Sequence, residues 1–173
     1  TFLWQAVHDK LSAGRVNDWP LQGICSTICI EENRGWYLNN RCEVVCISAD
    51  GMKGGKNEGV RDETYKDEKK ADIIWRYDMI EELGVFPHNL ATCSPLIVND
   101  RLYVITSNGV EKDHITVPSP RSPSFIALDT ITGKLIWENA DPGTKILHGQ
   151  WSAPGYVEVN GSGQMLFPGG DGW

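Results

Sequence analysis

The chain has 173 residues, of which 40% are hydrophobic, and its 16 basic and 23 acidic residues give a formal net charge of −7. This acidic balance argues against binding to a phosphate backbone, so we expect no nucleic-acid partner. The sequence contains no run of 18 apolar residues, so we expect no transmembrane segment. Its 18 glycines and 9 prolines favour a turn-rich β protein over a helical bundle.

The first part of the chain predicts one four-stranded unit after an irregular beginning. Within the lead-in at 1–22, residues 2–11 fit either one or two helical turns or the end of a preceding strand. Strand-forming runs then follow at 24–30, 36–38, 44–47 and 72–77, with polar turns between them. A charged insertion at 51–71 separates the last two runs. Because it mixes both signs of charge and has few apolar residues, we expect a solvated loop.

The same order of strands and turns recurs further along the chain. Apolar runs lie at 93–98, 101–106, 125–128 and 134–137, with a proline-rich insertion at 110–123 before the last two. Turn-forming Asp, Thr and Gly residues at 129–133 predict a hairpin between the last two runs. A third copy begins at Gln150, with strands at 156–159 and 164–167.

A four-stranded unit that repeats every 40–50 residues or so is typical of a β-propeller blade. We therefore predict an all-β fold, a β-propeller of four-stranded antiparallel blades. The boundaries predicted are a lead-in or the end of a preceding blade at 1–22, blades at 23–86 and 87–145, and a truncated next blade at 146–173. The pattern starts and stops within a repeat, so we expect a fragment of a longer protein. An ordinary β-sandwich with coincidental spacing is the alternative.

Residues 127–137 resemble the tryptophan-docking motif of PQQ-like β-propeller repeats, Ala-x-Asp-x-x-Thr-Gly-x-x-x-Trp. The resemblance implies that the tryptophan ring lies between neighbouring blades. In the first copy, Ser48 stands where the motif has Asp, and a long insertion replaces its Thr-Gly pair. The docking residues that the resemblance implies are Ala127, Asp129, Thr132, Gly133, Trp137 and, in the first copy, Trp75.

Proteins with this repeat divide by function, and the resemblance leaves two functions open. Quinoprotein alcohol and glucose dehydrogenases hold PQQ and Ca²⁺ on the propeller axis, whereas the propeller lipoprotein of the outer-membrane assembly machinery is a cofactor-free scaffold. We expect the second kind: a periplasmic or secreted binding or scaffold module without a cofactor. A protein partner or a small molecule would then bind at the propeller axis. The alternative is a PQQ- and Ca²⁺-dependent dehydrogenase with part of its catalytic residues outside this chain.

A few residues are candidates for chemistry. His148 precedes an inner strand of the third copy, where propeller loops face the axial channel, and His88 and His114 have similar loop contexts. Asp171 is the second catalytic candidate, although its turn position is shared with asparagines of the other copies. Trp151 and Trp173 could offer planes to a quinone, and packing between blades is the simpler interpretation of both.

The five cysteines, Cys25, Cys29, Cys42, Cys46 and Cys93, do not predict a metal site. Two pairs are spaced four residues apart, which on a strand separates their positions by about 13 Å. A tetrahedral zinc ion needs each sulfur at about 2.3 Å, so neither pair chelates by itself. We expect buried thiols and no metal, and a disulfide between neighbouring strands stays open.

Overall fold

The computed structural model describes residues 1–9, 22–61 and 63–172. Trp173 lies outside the described residues. Ten strands and one short α-helix are found in the described part, together with 3₁₀ turns at Lys53–Gly55 and Gly143–Lys145. The elements are β1 (Cys29–Glu31), β2 (Arg34–Leu38), β3 (Glu43–Ser48), β4 (Ile73–Asp78), α1 (Met79–Leu83), β5 (Leu96–Val98), β6 (Arg101–Ile105), β7 (Phe125–Asp129), β8 (Leu135–Asn139), β9 (Gly155–Val159) and β10 (Ser162–Leu166).

The strands form two four-stranded sheets and one two-stranded hairpin. The orders are β1-β2-β3-β4, β5-β6-β7-β8 and β10-β9, and every pairing is antiparallel between neighbours in sequence. The prediction of an all-β fold built from four-stranded antiparallel sheets is confirmed. The residue boundaries proposed for the blades stay a prediction.

The first two sheets pack against each other through one hydrophobic core. Leu38 and Val44 of the first sheet belong to the same buried cluster as Leu102, Ile126 and Leu128 of the second. Strands β2 and β3 are buried along almost their whole length because both their faces are covered. Burying the faces in this way stabilises sheets that would be marginal in isolation.

Two indoles from the first sheet meet one carbonyl of the second. The Trp75 indole N–H donates to the Thr130 carbonyl oxygen at 3.1 Å, and the Trp36 indole N–H donates to the same oxygen at 3.2 Å. Gly133 has a φ of +69°, and a Cβ there would lie 2.7 Å from the Trp75 ring. The ring therefore rests against a turn that only glycine fits without displacing it.

Asp129 closes that turn. Its Oδ1 accepts hydrogen bonds from the backbone N–H groups of Ile131 and Thr132 and from the Thr132 hydroxyl at 2.7–3.1 Å. The hydroxyl bond of Thr132 and these backbone bonds hold the pKa of Asp129 below its usual value. The turn between β7 and β8 is thus fixed by its own side chains before it meets the neighbouring sheet.

Two local predictions differ from the structure. The first strand is only Cys29–Glu31 rather than 24–30, because Ile24 and Ile28 are exposed and lie outside the ladder. The helix Met79–Leu83 was not predicted. Asp78 caps its beginning by accepting from the N–H groups of Ile80 and Glu81, and Gly84 ends it in the left-handed region.

The charged insertion is mostly exposed or half-buried, as a solvated loop would be, but a few of its residues are packed. Met52 and Glu63 are buried, and Glu63 accepts hydrogen bonds from the Ile73 N–H and the Asn57 amide. Burial raises the pKa of Glu63. Residues 1–9 contain no helical turn; Gln5 instead pairs with Lys70, so this segment packs against the insertion.

No disulfide joins any of the five cysteines, all of which lie within the described residues. Cys42, Cys46 and Cys93 are buried, whereas Cys25 is exposed and Cys29 is half-buried. Burial raises the pKa of Cys46 to about 11 and that of Cys93 to about 12, so both remain protonated and unreactive at neutral pH.

Candidate functional site

Three loops bring His88, His114 and His148 together. His88 lies between α1 and β5, His114 between β6 and β7, and His148 between β8 and β9. Each histidine offers one ring nitrogen, and these three nitrogens all lie within 4.8 Å of one another. We call this group the histidine cluster.

His88 is the buried member of the histidine cluster. Its Nδ1 lies 2.8 Å from the Val110 carbonyl oxygen. Because a carbonyl oxygen only accepts, Nδ1 carries the proton and donates, which leaves the ring's lone pair on Nε2. A hydrogen bond of this kind on the far nitrogen fixes the orientation of a metal-binding imidazole.

Gly109 and Val110 tie the loops of His88 and His148 together. The Gly109 N–H donates to the Phe86 carbonyl at 2.9 Å, and the Val110 N–H donates to the His148 carbonyl at 3.0 Å. A Cβ on Gly109 would lie 2.7 Å from the His88 Cβ and 2.8 Å from the His148 carbonyl oxygen. This position therefore requires glycine for the two loops to approach so closely.

His114 projects from a tight turn in the proline-rich insertion. Its N–H donates to the Glu111 carbonyl at 2.9 Å, and its φ is +59°. Asp113 closes the turn by accepting from the N–H groups of Ile115 and Thr116 and from the Thr116 hydroxyl. These hydrogen bonds, the one from the Thr116 hydroxyl above all, keep the pKa of Asp113 below its usual value.

The three rings contact each other directly. His114 Nδ1 lies 2.7 Å from His148 Nε2, so these nitrogens share one proton in a hydrogen bond. The ring centre of His88 lies 4.3 Å from that of His148 and 5.0 Å from that of His114. His114 is exposed and His148 is half-buried, so one side of the histidine cluster faces solvent while His88 closes the other.

Trp151 forms a wall of the histidine cluster. Its ring centre lies 5.3 Å from His148 and 5.9 Å from His88, and its indole N–H donates to the His88 carbonyl at 3.2 Å. A Cβ on Gly149 would lie 2.4 Å from the indole ring, so the ring lies over that glycine. The indole is therefore held beside the histidines rather than presented as an open plane.

Gln150 braces the loop that carries His148 and Trp151. It is buried, and its amide Nε2 donates to the Asn108 carbonyl and the Ser124 hydroxyl, both at 2.9 Å. Its Oε1 accepts from the Gly170 N–H at 3.1 Å. Gln150 thus joins three segments, and sequence reasoning did not single it out.

The remaining predicted residues fall elsewhere. Asp171 lines an open cavity of about 360 Å³ with Asp141 and Lys145, and that cavity does not include the histidines. Trp137 stacks against Phe167 with ring centres 5.9 Å apart. Trp173, the second candidate plane for a quinone, lies outside the described residues. Ala127 is buried in β7 opposite Trp137.

Both polar atoms of the Asn108 side chain form hydrogen bonds with backbone groups of neighbouring loops. Its Oδ1 accepts from the Phe86 N–H at 3.0 Å, and its Nδ2 donates to the Ser119 carbonyl at 2.9 Å. These bonds hold the extension of β6 against the loops that carry His88 and His114. The asparagine found at this turn position is therefore a brace beside the histidine cluster.

Comparisons with known proteins give distant likenesses among solved structures alone. No family model matches the chain, and no curated protein matches it. Among solved structures, the chain is similar to the quinohemoprotein alcohol dehydrogenase ADHIIG from Pseudomonas putida HK5, with 16% identity and a TM-score of 0.49. The match covers 89% of this chain and 17% of that protein. At this identity and score the likeness assigns no function to this chain.

The described residues include no helix that is long and apolar enough to cross a membrane. The short helix Met79–Leu83 packs beside β3 and β4.

Proposed function

We propose that this chain is part of an extracytoplasmic β-propeller that works as a binding module, and that its ligand site is the histidine cluster. The observation that carries the proposal is the convergence of His88, His114 and His148 from three separate loops of a rigid β scaffold. Binding residues on propellers and other β folds are commonly placed in this way, on loops that strands position.

The main apolar core between the first two sheets does not include the histidine cluster, which supports a role for the cluster in binding. Burying polar rings beside one another costs free energy unless hydrogen bonds or a ligand compensate for the lost water. Packing between the sheets is already supplied by Trp36, Trp75 and the apolar core. Polar side chains that loops gather outside the main core, with one side open to solvent, are candidates for binding.

The second candidate function is a PQQ- and Ca²⁺-dependent alcohol dehydrogenase, which the resemblance of residues 127–137 favours. The residues in and around the histidine cluster do not match the ligands that those cofactors require. Ca²⁺ takes hard oxygen ligands, whereas the histidine cluster offers imidazole nitrogens. The amide of Asn108 is occupied by backbone partners, and Trp151 lies against the histidines.

Reconstitution with the quinone separates the two functions. The full-length protein is incubated with PQQ and Ca²⁺ and assayed for dye-linked oxidation of primary alcohols, with an established quinoprotein alcohol dehydrogenase as positive control. We expect no dye reduction above the rate without protein and no quinone absorbance retained after gel filtration. Alcohol-dependent dye reduction together with retained quinone would overturn the binding-module proposal.

A further inference from the structure

We propose that the histidine cluster is a divalent transition-metal centre of the zinc type, with three imidazole ligands and a fourth position open to an exogenous donor. This inference rests on the proposed function, since it names the ligand that the binding module takes. The candidate ligand atoms are His88 Nε2, His114 Nδ1 and His148 Nε2.

The donor set selects the kind of ion. Neutral imidazole suits Zn²⁺, Cu²⁺ and Ni²⁺, whereas Ca²⁺ and Mg²⁺ prefer oxygen. Three protein ligands are the number found in zinc centres that keep one position for water or substrate, and closed structural sites have four. Within residues 1–9, 22–61 and 63–172, the group that converges contains three histidines and no fourth His, Cys, Asp or Glu.

The distances allow an ion after the rings adjust: the nearest pair of nitrogens has to separate, and the farthest pair, up to 4.8 Å apart, has to close by up to about 1.5 Å. Two nitrogens bound to one tetrahedral Zn²⁺ at about 2.0–2.1 Å lie about 3.3 Å apart. His114 Nδ1 and His148 Nε2 are 2.7 Å apart, so these rings need to separate by about half an ångström, and the proton between the two nitrogens has to move to the other nitrogen of its ring or to solvent when the ion binds. His114 stands on an exposed turn outside the strands and can move that far without disturbing the core.

The surroundings already orient one ligand. The Val110 carbonyl accepts from His88 Nδ1, so the lone pair of this buried ring lies on Nε2. Hydrogen bonds from Gly109 and Val110 hold the backbone of the His88 and His148 loops in register. Fixed rings of this kind lower the cost of assembling a metal site.

The open coordination position of the ion would lie on the side of the histidine cluster that faces solvent. His88 is buried behind the other two rings, and Trp151 walls the site beside His148. His114 is exposed, so the fourth donor approaches from its side. A water molecule would fill the position, and a small anion such as azide or acetate would replace it.

The test uses the full-length protein without a polyhistidine tag, stripped with a chelator and dialysed. Zn²⁺ binding is measured by titration calorimetry, and Co²⁺ serves as the spectroscopic probe. We expect Zn²⁺ to bind one site that depends on the histidine cluster, and Co²⁺ to give the strong visible absorption of a four-coordinate ion. Added azide is expected to shift that absorption.

The variants His114→Ala and His148→Ala should each weaken Zn²⁺ binding by about 100-fold or more. Each variant removes a ligand, and the loss of a mere outer-shell partner already costs about 10- to 100-fold in affinity. His8→Ala is the matched control, since His8 is the one histidine of the chain outside the cluster. It should bind Zn²⁺ as the unaltered protein does. Circular dichroism of each variant verifies that the fold is retained, and the exposed position of His114 makes its variant the decisive one.

Four results would overturn the inference, the fourth being a failure to bind any metal. Equal Zn²⁺ affinity in His114→Ala, His148→Ala and the unaltered protein would place the metal elsewhere. A weak, six-coordinate Co²⁺ spectrum would indicate adventitious binding, and a four-coordinate spectrum unmoved by azide would remove the open position. Failure of all metal binding would leave the binding-module proposal standing, because that proposal fails only through quinone-dependent activity.

Discussion

Gly109 is the single residue on which the geometry of the histidine cluster depends most. A methyl group at this position would meet the His88 Cβ at 2.7 Å and the His148 carbonyl oxygen at 2.8 Å. The two loops would have to separate, and the imidazoles that they carry would separate with them. We therefore expect Gly109→Ala to lower the Zn²⁺ affinity of the full-length protein about 10- to 100-fold, as the loss of an outer-shell partner does.

Gly23→Ala is the control for that prediction, because a Cβ there would meet nothing within 4 Å. Titration calorimetry and a thermal melt are run on both variants. A Gly109→Ala protein with the Zn²⁺ affinity of the unaltered chain would contradict the structural role that we assign to this glycine.

At the residue scale, the sequence identified the three histidines as loop residues of interest but did not predict that their rings lie close together. His88 and His148 precede the first strands of consecutive repeats, β5 and β9, so the repeat itself places their loops at one end of neighbouring sheets. The sequence therefore contained a signal that the loops of His88 and His148 lie near each other. His114 joins them through an insertion whose path depends on the Asp113 turn and on Asn108, and no spacing rule predicts such a path.

At the scale of elements, two hydrogen bonds between the first two sheets share one acceptor, the Thr130 carbonyl oxygen. This oxygen accepts from both Trp36 and Trp75, and Thr130 is buried. Replacing either indole by Phe leaves the carbonyl one donor, whereas replacing both leaves it none. A buried acceptor without a partner costs about 1–3 kcal/mol.

We therefore expect the double variant Trp36→Phe/Trp75→Phe to lose more stability than the sum of the single variants, by about 1 kcal/mol or more. Urea denaturation of the full-length protein measures the three free energies. Trp4 donates to a different carbonyl, that of Ala49, so the pair Trp4→Phe/Trp75→Phe should be additive to within about 0.5 kcal/mol. Additive losses for Trp36 and Trp75 would show that the shared acceptor carries no coupling.

Elements with a strong local pattern were predicted well, and the others required tertiary contacts. The hairpin of β7 and β8 was predicted because apolar runs flank a turn that Asp129 and Gly133 specify locally. The strand predicted at 24–30 covers only Cys29–Glu31 in the structure, because an apolar run forms a strand only where a partner strand lies beside it. The insertion at 51–71 packs through a few buried residues, Met52 and Glu63 among them, within an otherwise charged sequence.

At the scale of the whole molecule, the two four-stranded sheets differ in how well their last strands are covered. Trp75 of β4 is 8% exposed because the second sheet packs over it, whereas its counterpart Trp137 of β8 is 42% exposed. Beside Trp137 lies the hairpin of β9 and β10, with an open cavity of about 710 Å³ between them that Tyr103 and Phe167 also line. The exposed apolar surface of β8 is also the edge of its sheet, and such edges promote association.

We therefore expect the 173-residue chain, produced by itself, to self-associate at micromolar concentrations, as measured by size-exclusion chromatography with light scattering. Trp137→Lys places a charge on the open face and should shift the chain towards monomer. Ile131→Lys is the matched control, because Ile131 is exposed in the turn before β8 and does not line the cavity. A monodisperse monomer for the unaltered chain, or equal effects of the two lysine variants, would mean that the open face of β8 does not drive association.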